Sequence, residues 1–267
     1  MKRFLLAAFI AATALPAEAF VCTRTNGMFG PSLTWTGRMV SWVMSAQMTT
    51  DIPNAEDSKA ALIASFDAWT QVPCSDLEFV LSEVRAGAKA EALDGGPYEN
   101  VVVFLPTGWP YEPNIIALTT NAFDPKTGRM LDSDIEINDQ HFEFVIAEQG
   151  CEPVAGRTDL QNTITHEVGH VLGLDHPPKE AQFAEETMFP SAPPCETTKR
   201  TLEMGDTGGI CSIYPLGLPN APCFPPEGPT FDVIAMDDGM GCSTTGAESL
   251  LPILMVLVLG RRLFRIR

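Results

Sequence analysis

The chain has 267 residues, enough for one substantial domain with appendages, and apolar residues at 45% are ample for a core. Lys and Arg number 17 against 34 Asp and Glu, a formal charge of -17. The basic residues crowd both termini (Lys2, Arg3; Arg261, Arg262, Arg265, Arg267), so the body between them is more acidic still, which excludes nucleic acid as a partner and fits a soluble exported protein.

Met1 to Ala19 reads as a secretory signal peptide: Lys2 and Arg3, an apolar run from Phe4 to Leu15, then the small-residue site Pro16-Ala17-Glu18-Ala19, whose cleavage leaves Phe20 first. The run is too short for a membrane anchor. Export permits disulfides. Of seven cysteines, Cys22, Cys74, Cys151, Cys195, Cys211 and Cys223 lie in the body and Cys242 in the tail. Three bridges are expected, their connectivity open, with Cys195 to Cys211 the preferred pair because both flank the segment that closes the domain.

Trp35 to Met44 alternates as a first strand, with Val40, Trp42 and Met44 on one face. Asn54 can cap a helix in which Leu62, Phe66 and Trp69 recur through Ala60 to Thr70, ending at Val72-Pro73. A second strand falls around Leu77 to Leu81. Val101 to Leu105 is a β-branched run suited to a buried strand. Ile115 to Phe123 reads as another strand, a turn follows at Asp124 to Gly128, and Asp132 to Asn138 alternates as a half-exposed strand would. Thr158 to Leu174 is a helix, with Thr158 and Gln161 at capping-box spacing and Leu160, Ile164, Val168, Val171 and Leu172 as its core face. Leu202 to Tyr214 closes the domain. From Pro215 the composition turns proline- and glycine-rich, so residues 20–218 form the domain, 219–241 a linker and 242–267 a tail.

Within the long helix stands His166-Glu167-Val168-Gly169-His170-Val171-Leu172-Gly173-Leu174-Asp175-His176. Residues four apart share a helix face, so His166 and His170 can hold one metal ion from successive turns. A zinc ion that does chemistry needs three protein ligands and an open position, and His176 is the third candidate. A continuing helix would carry His176 away along its axis. Gly173 is where the chain can reverse, since glycine accepts the left-handed conformation that ends helices. Glu167, beside the first ligand, is the candidate general base.

This H-E-x-x-H-x-x-G-x-x-H pattern, followed by Glu186-Thr187-Met188-Phe189-Pro190, resembles the metzincin metallopeptidases, whose signature is that motif and a downstream Met-turn. A chance His/Glu pattern with Met188 as core filler is the competing reading; the placed glycine, third histidine and methionine weigh against it. The opening strand and helix are similar to those of matrixins. Some members of the superfamily carry Tyr two residues after the Met; Pro190 stands there here, which also favours matrixins. The resemblance implies an α+β fold: a twisted, mostly parallel sheet with an antiparallel edge strand, an active-site helix and a closing carboxyl-terminal helix. It implies Met188 beneath the zinc histidines, and Ile115 to Phe123 as the rim strand that pairs with an extended substrate. Structural calcium occurs in that family, and Asp124, Asp132, Asp134 and Asp139 offer oxygens for Ca2+, but no EF-hand spacing is present and a solvated acidic loop is favoured. His141 is the only histidine left for a second, structural zinc, which is not expected. Asp175 reads as a surface or supporting carboxylate, and Cys22 as a disulfide partner instead of a latency switch.

Cys242, the short apolar stretch Leu250 to Leu259 and the Arg cluster resemble the tripartite sorting tails of surface-displayed bacterial proteins, the myxobacterial type in particular; a simple tail anchor with a bystander thiol stands equally open. The reading is an exported zinc-dependent endopeptidase at the cell envelope or surface, with a peptide or protein substrate and membrane contact through the tail. The competing class is a zinc-containing surface binding module without proteolytic activity.

Overall fold

The β-branched and aromatic runs do extend, and the two leucine- and valine-faced segments do coil, in the computed structural model, which describes residues 20–27, 29–91, 98–147 and 151–223 and the backbone of 261–265. In chain order the elements are β1 (Val21–Cys22), β2 (Met39–Ser45), α1 (Ala55–Thr70), β3 (Glu78–Arg85), β4 (Asn100–Phe104), β5 (Ile115–Phe123), β6 (Met130–Ile137), β7 (Glu143–Val145), β8 (Arg157–Asp159), α2 (Leu160–Val171), β9 (Leu174–Asp175), α3 (Met204–Ile213) and β10 (Arg261–Arg265). The main sheet has the order β10-β5-β6-β4-β2-β3. Strands β3, β2, β4 and β6 run parallel; β5 is antiparallel to β6 and β10 antiparallel to β5. This is the α+β, metzincin-type arrangement of a mostly parallel sheet, two helices packed on one another and a closing helix.

Alternation on β2 sets the layers. Val40, Trp42 and Met44 join the main core, while Val43 faces the other way into a small cluster with Val101 and Val103. Trp42 stacks on Phe66 of α1 with ring centroids 3.9 Å apart. Helix α1 in turn holds α2: Trp69 Nε1 donates to Thr165 O at 2.9 Å and Ser65 Oγ to Gln161 O at 3.2 Å. Asn54 caps α1 as expected, accepting from Glu56 N at 3.2 Å, and the helix starts directly after it.

Several local readings are corrected. Helix α2 is capped by Asp159, not Thr158: Asp159 Oδ1 accepts from Asn162 N at 2.8 Å, its Oδ2 from Ala147 N at 2.8 Å, and the Arg200 guanidinium pairs with the same carboxylate. A carboxylate caps better here because it also satisfies neighbours beyond the helix. On β6 two of the three acidic positions are covered instead of solvent-facing. Asp132 and Asp134 are buried, and Asp134 Oδ1 accepts from Val101 N at 2.8 Å. Burial, and then the charge of Asp134, pushes Asp132 up to about 7.

The disulfides also differ from the preferred pairing. They join Cys22 to Cys223, Cys74 to Cys211 and Cys151 to Cys195. Helix α3 turns Cys211 toward the loop after α1, where Leu216 N donates to Cys74 O at 2.9 Å, so Cys195 is left to reach Cys151 across the loop before β8. Packing continues past residue 218: Ala221 N donates to Ile213 O at 3.1 Å and Cys223 is buried.

No helix among the described residues is long and apolar enough to cross a membrane. The signal-peptide segment, Cys242 and Leu250 to Leu259 lie outside the described residues. The backbone of β10 pairs along the outer edge of β5, with Arg262 opposite Thr119 and Arg261 opposite Thr120, so the edge assigned to substrate carries the chain's own strand.

Candidate metal centre

Every residue of helix α2 except Gln161 is buried, and the helix presents His166 and His170 one turn apart. Val171 is its last residue. Gly173 then takes φ +104°, and a Cβ there would collide with the carbonyl oxygen of Leu33, so only glycine makes the reversal. The returning chain is held as β9 against β1: Thr23 N donates to Gly173 O at 2.8 Å and Thr23 Oγ1 to Leu174 O at 2.9 Å. Asp175, buried and not a surface carboxylate, accepts from the backbone N–H of His176 at 2.8 Å.

These constraints bring three imidazoles together. His176 Nε2 lies 3.1 Å from His166 Nε2 and 3.1 Å from His170 Nε2. His166 Nδ1 lies 2.6 Å from Thr187 O and His170 Nδ1 2.8 Å from Leu174 O. A carbonyl can only accept, so each Nδ1 carries the proton and each Nε2 of that pair offers a lone pair. Lone pairs converging at such distances repel unless a cation sits among them. The donor set, all imidazole nitrogen with the second nitrogens of His166 and His170 oriented by carbonyls, suits zinc. Among the described residues this is the sole group of three or more His, Cys, Asp or Glu side chains close enough to share an ion. Asp124, Asp132, Asp134 and Asp139 are not gathered into such a group.

Glu167 is fully buried. Its Oε2 accepts from Thr119 Oγ1 at 2.6 Å, and its Oε1 has no hydrogen-bond partner. Burial raises its pKa to about 8, against the lowering effect of Thr119. A cation held by the adjacent histidines would draw it back down. Burial, reinforced by the neighbouring imidazoles, holds His166 well below the usual histidine range, which keeps it neutral and able to ligate.

Met188 lies against α2 at Gly169, between the two helical histidines. A Cβ at Gly169 would run into Met188 Sδ and come within 3.0 Å of Trp69 Cζ2. The turn bearing Met188 is fixed from α3: Asp206 accepts from Thr187 N at 2.7 Å and Met188 N at 3.1 Å. A connected path therefore runs from Asp206 through the Thr187 peptide to His166 Nδ1. Glu186 accepts from Gly205 N at 3.3 Å and Asp206 N at 3.2 Å, at the start of α3. Burial, and then the charge of Asp206, raises Glu186 to about 7, and burial raises Asp206 as well. In the loop beyond, Lys199 is buried against Glu196 at 2.6 Å, and Lys199 N donates to Asn162 Oδ1 of α2 at 2.8 Å.

Every residue singled out in the motif thus meets at one place. Gly169, Asp206, Thr119 and Asp159 were not singled out. Gly169 and Asp206 carry local signals, a small residue between two ligands and an acid in the first turn of a helix; Thr119 and Asp159 become meaningful only through contacts with α2.

A mixed sheet, a helix bearing two histidines, a glycine reversal to a third and a methionine packed against that helix define a domain built around one three-histidine site. Residues 112–215 match the family model described as Matrixin. The chain is similar to Metalloendoproteinase 1-MMP of Arabidopsis thaliana, 29% identical over 187 residues, covering 67% of this chain and 44% of that protein. It is likewise similar to Metalloendoproteinase 1 of Glycine max, 29% identical over 170 residues, covering 61% and 47%. Metalloendoproteinase 4-MMP of Arabidopsis thaliana is 24% identical over 180 residues, covering 66% and 45%. The chain spans less than half the length of each of these relatives.

Proposed function

We propose that the protein is an exported zinc-dependent endopeptidase in which His166, His170 and His176 hold one zinc ion and Glu167 is the general base. The observation that carries this is the convergence of three imidazoles, two of them on α2 and oriented by carbonyls, beside a buried carboxylate, Glu167, with an unpartnered oxygen. The Matrixin match and the names of the relatives support it.

Zinc in that site supplies Lewis acidity, which makes water acidic enough to attack near neutral pH and polarises the scissile carbonyl. Glu167 Oε1 takes the proton from the attacking water and returns it to the departing amine nitrogen. No covalent enzyme intermediate forms. Met188 and Asp206 act only through His166 and the turn, by keeping the ligand helix in place. With Pro190 two residues after Met188, no tyrosine is available there to assist the oxyanion. The reading needs no calcium. The three disulfides support an oxidising, exported location.

The test is to measure bound zinc and cleavage of a mixed peptide library for the mature wild-type chain and Glu167→Ala. Both proteins are expected to bind one zinc, with cleavage lower by about 10²–10⁴-fold in the variant, the usual worth of a general base. A wild-type protein that binds zinc and cleaves nothing would replace this reading with the surface binding module.

A further inference from the structure

We propose that Thr119 is a positioning residue for the reaction: its hydroxyl occupies one oxygen of Glu167, Oε2, and so assigns the travelling proton to the other, Oε1. This rests on the peptidase reading above.

Thr119 lies in β5, fully covered, between Leu118 and Thr120 in a strand that otherwise begins Ile-Ile-Ala-Leu. Its Oγ1 is 2.6 Å from Glu167 Oε2 and 3.2 Å from the backbone oxygen of the same residue. A hydroxyl has one proton to give, and the closer, charged acceptor takes it. Threonine is suited to this, because its branched Cβ restricts χ1 and leaves the hydroxyl with little freedom to swing away.

The consequence concerns which oxygen does the chemistry. A carboxylate with two free oxygens can rotate and take a proton on either. With Oε2 engaged, Oε1 alone is free to receive the proton as the water oxygen bonds to the carbonyl carbon. The same atom gives that proton to the amide nitrogen as the carbon–nitrogen bond breaks. The Thr119 proton stays on Oγ1 throughout. Thr119 is not needed to seat the helix, since Asn121, two residues on and on the same face of β5, donates to His170 O at 3.3 Å and is itself fixed by Ser133 Oγ at 2.6 Å.

The experiment compares the zinc-loaded full chain as wild type, Thr119→Val and Thr119→Ser. Valine keeps the shape and removes the donor. The expected result is kcat lower by about ten- to a hundredfold in Thr119→Val, the scale of a lost hydrogen bond to a charged group, with KM within about twofold and zinc content unchanged; Thr119→Ser recovers most of the rate. Melting of the zinc-free protein provides a second reading through a double-mutant cycle: Thr119→Val is expected to shift Tm in the wild-type background and not in Glu167→Ala. An unchanged kcat in Thr119→Val overturns the inference while leaving the peptidase reading intact. A loss that serine does not rescue, or additive Tm shifts, makes Thr119 a packing residue and overturns it too. A wild-type protein that cleaves nothing removes both readings together.

Discussion

Replacing Gly173 by alanine puts the reversal that delivers the third histidine under direct stress. The native φ of +104° lies where an L side chain is strained, worth about 1–3 kcal/mol. The new Cβ would also meet the backbone of Leu33, whose carbonyl carbon lies 3.3 Å away with its oxygen nearer still, and backbone cannot swing aside as a flexible side chain can. Forcing it costs about 1–3 kcal/mol more. Reduced freedom of the unfolded chain returns about 0.4–1 kcal/mol. The net loss is about 1–5.5 kcal/mol, or a Tm lower by about 2–22 °C for a domain of this size. The assay is thermal melting with and without zinc, beside zinc titration. Because Gly173 directs His176, the variant should lose more of its zinc-dependent stabilisation than of its zinc-free stability. A Tm within about 2 °C of wild type and an unchanged zinc affinity would refute the claim that this turn admits only glycine.

Glu186, raised to about 7 by burial and by Asp206, gives a pH signature. The fold favours its protonated form, so stability is greatest at low pH and falls as pH climbs from the ordinary carboxylate range through about 7. Glu186→Gln, which keeps an acceptor for Gly205 and Asp206, should melt a few degrees above wild type at about pH 8, with the difference vanishing near pH 5; melts at the two pH values that differ equally would sink the assignment. Removing the Cys22 to Cys223 bridge by alanine at both positions should cost about 2–5 kcal/mol in denaturant melts and weaken zinc binding as β1 loosens from β9.

The parts of this protein legible in sequence are those fixed by short spacings. His166 and His170 are bound by the helical period, Gly173 by its freedom of φ, and β5 by a β-branched run ending at Asp124-Pro125. Where an outcome hangs on distant residues, sequence misleads. Alternation on β6 suggests solvent-facing acids, yet Asp134 turns inward because Val101, 33 residues earlier, presents an N–H there. Thr158 has the right spacing for a cap, but Asp159 wins through Arg200, 41 residues on. Cysteine pairing depends on which way α3 turns Cys211. Thr119 resembles any strand threonine until α2 is laid against it.

The pairing of β1 with β9 has a kinetic meaning. Thr23 and Leu174, joined by a hydrogen bond, are 151 residues apart, so the turn carrying His176 is shaped by a contact of high sequence separation whose closure is paid in chain entropy before it is rewarded. His166 and His170, by contrast, come into line as soon as α2 coils. Two ligands are therefore local products of the chain and the third is a late one. With α2 coiled and β1 not yet paired to β9, only His166 and His170 would stand in line; His176 joins them once the ends of the domain have met.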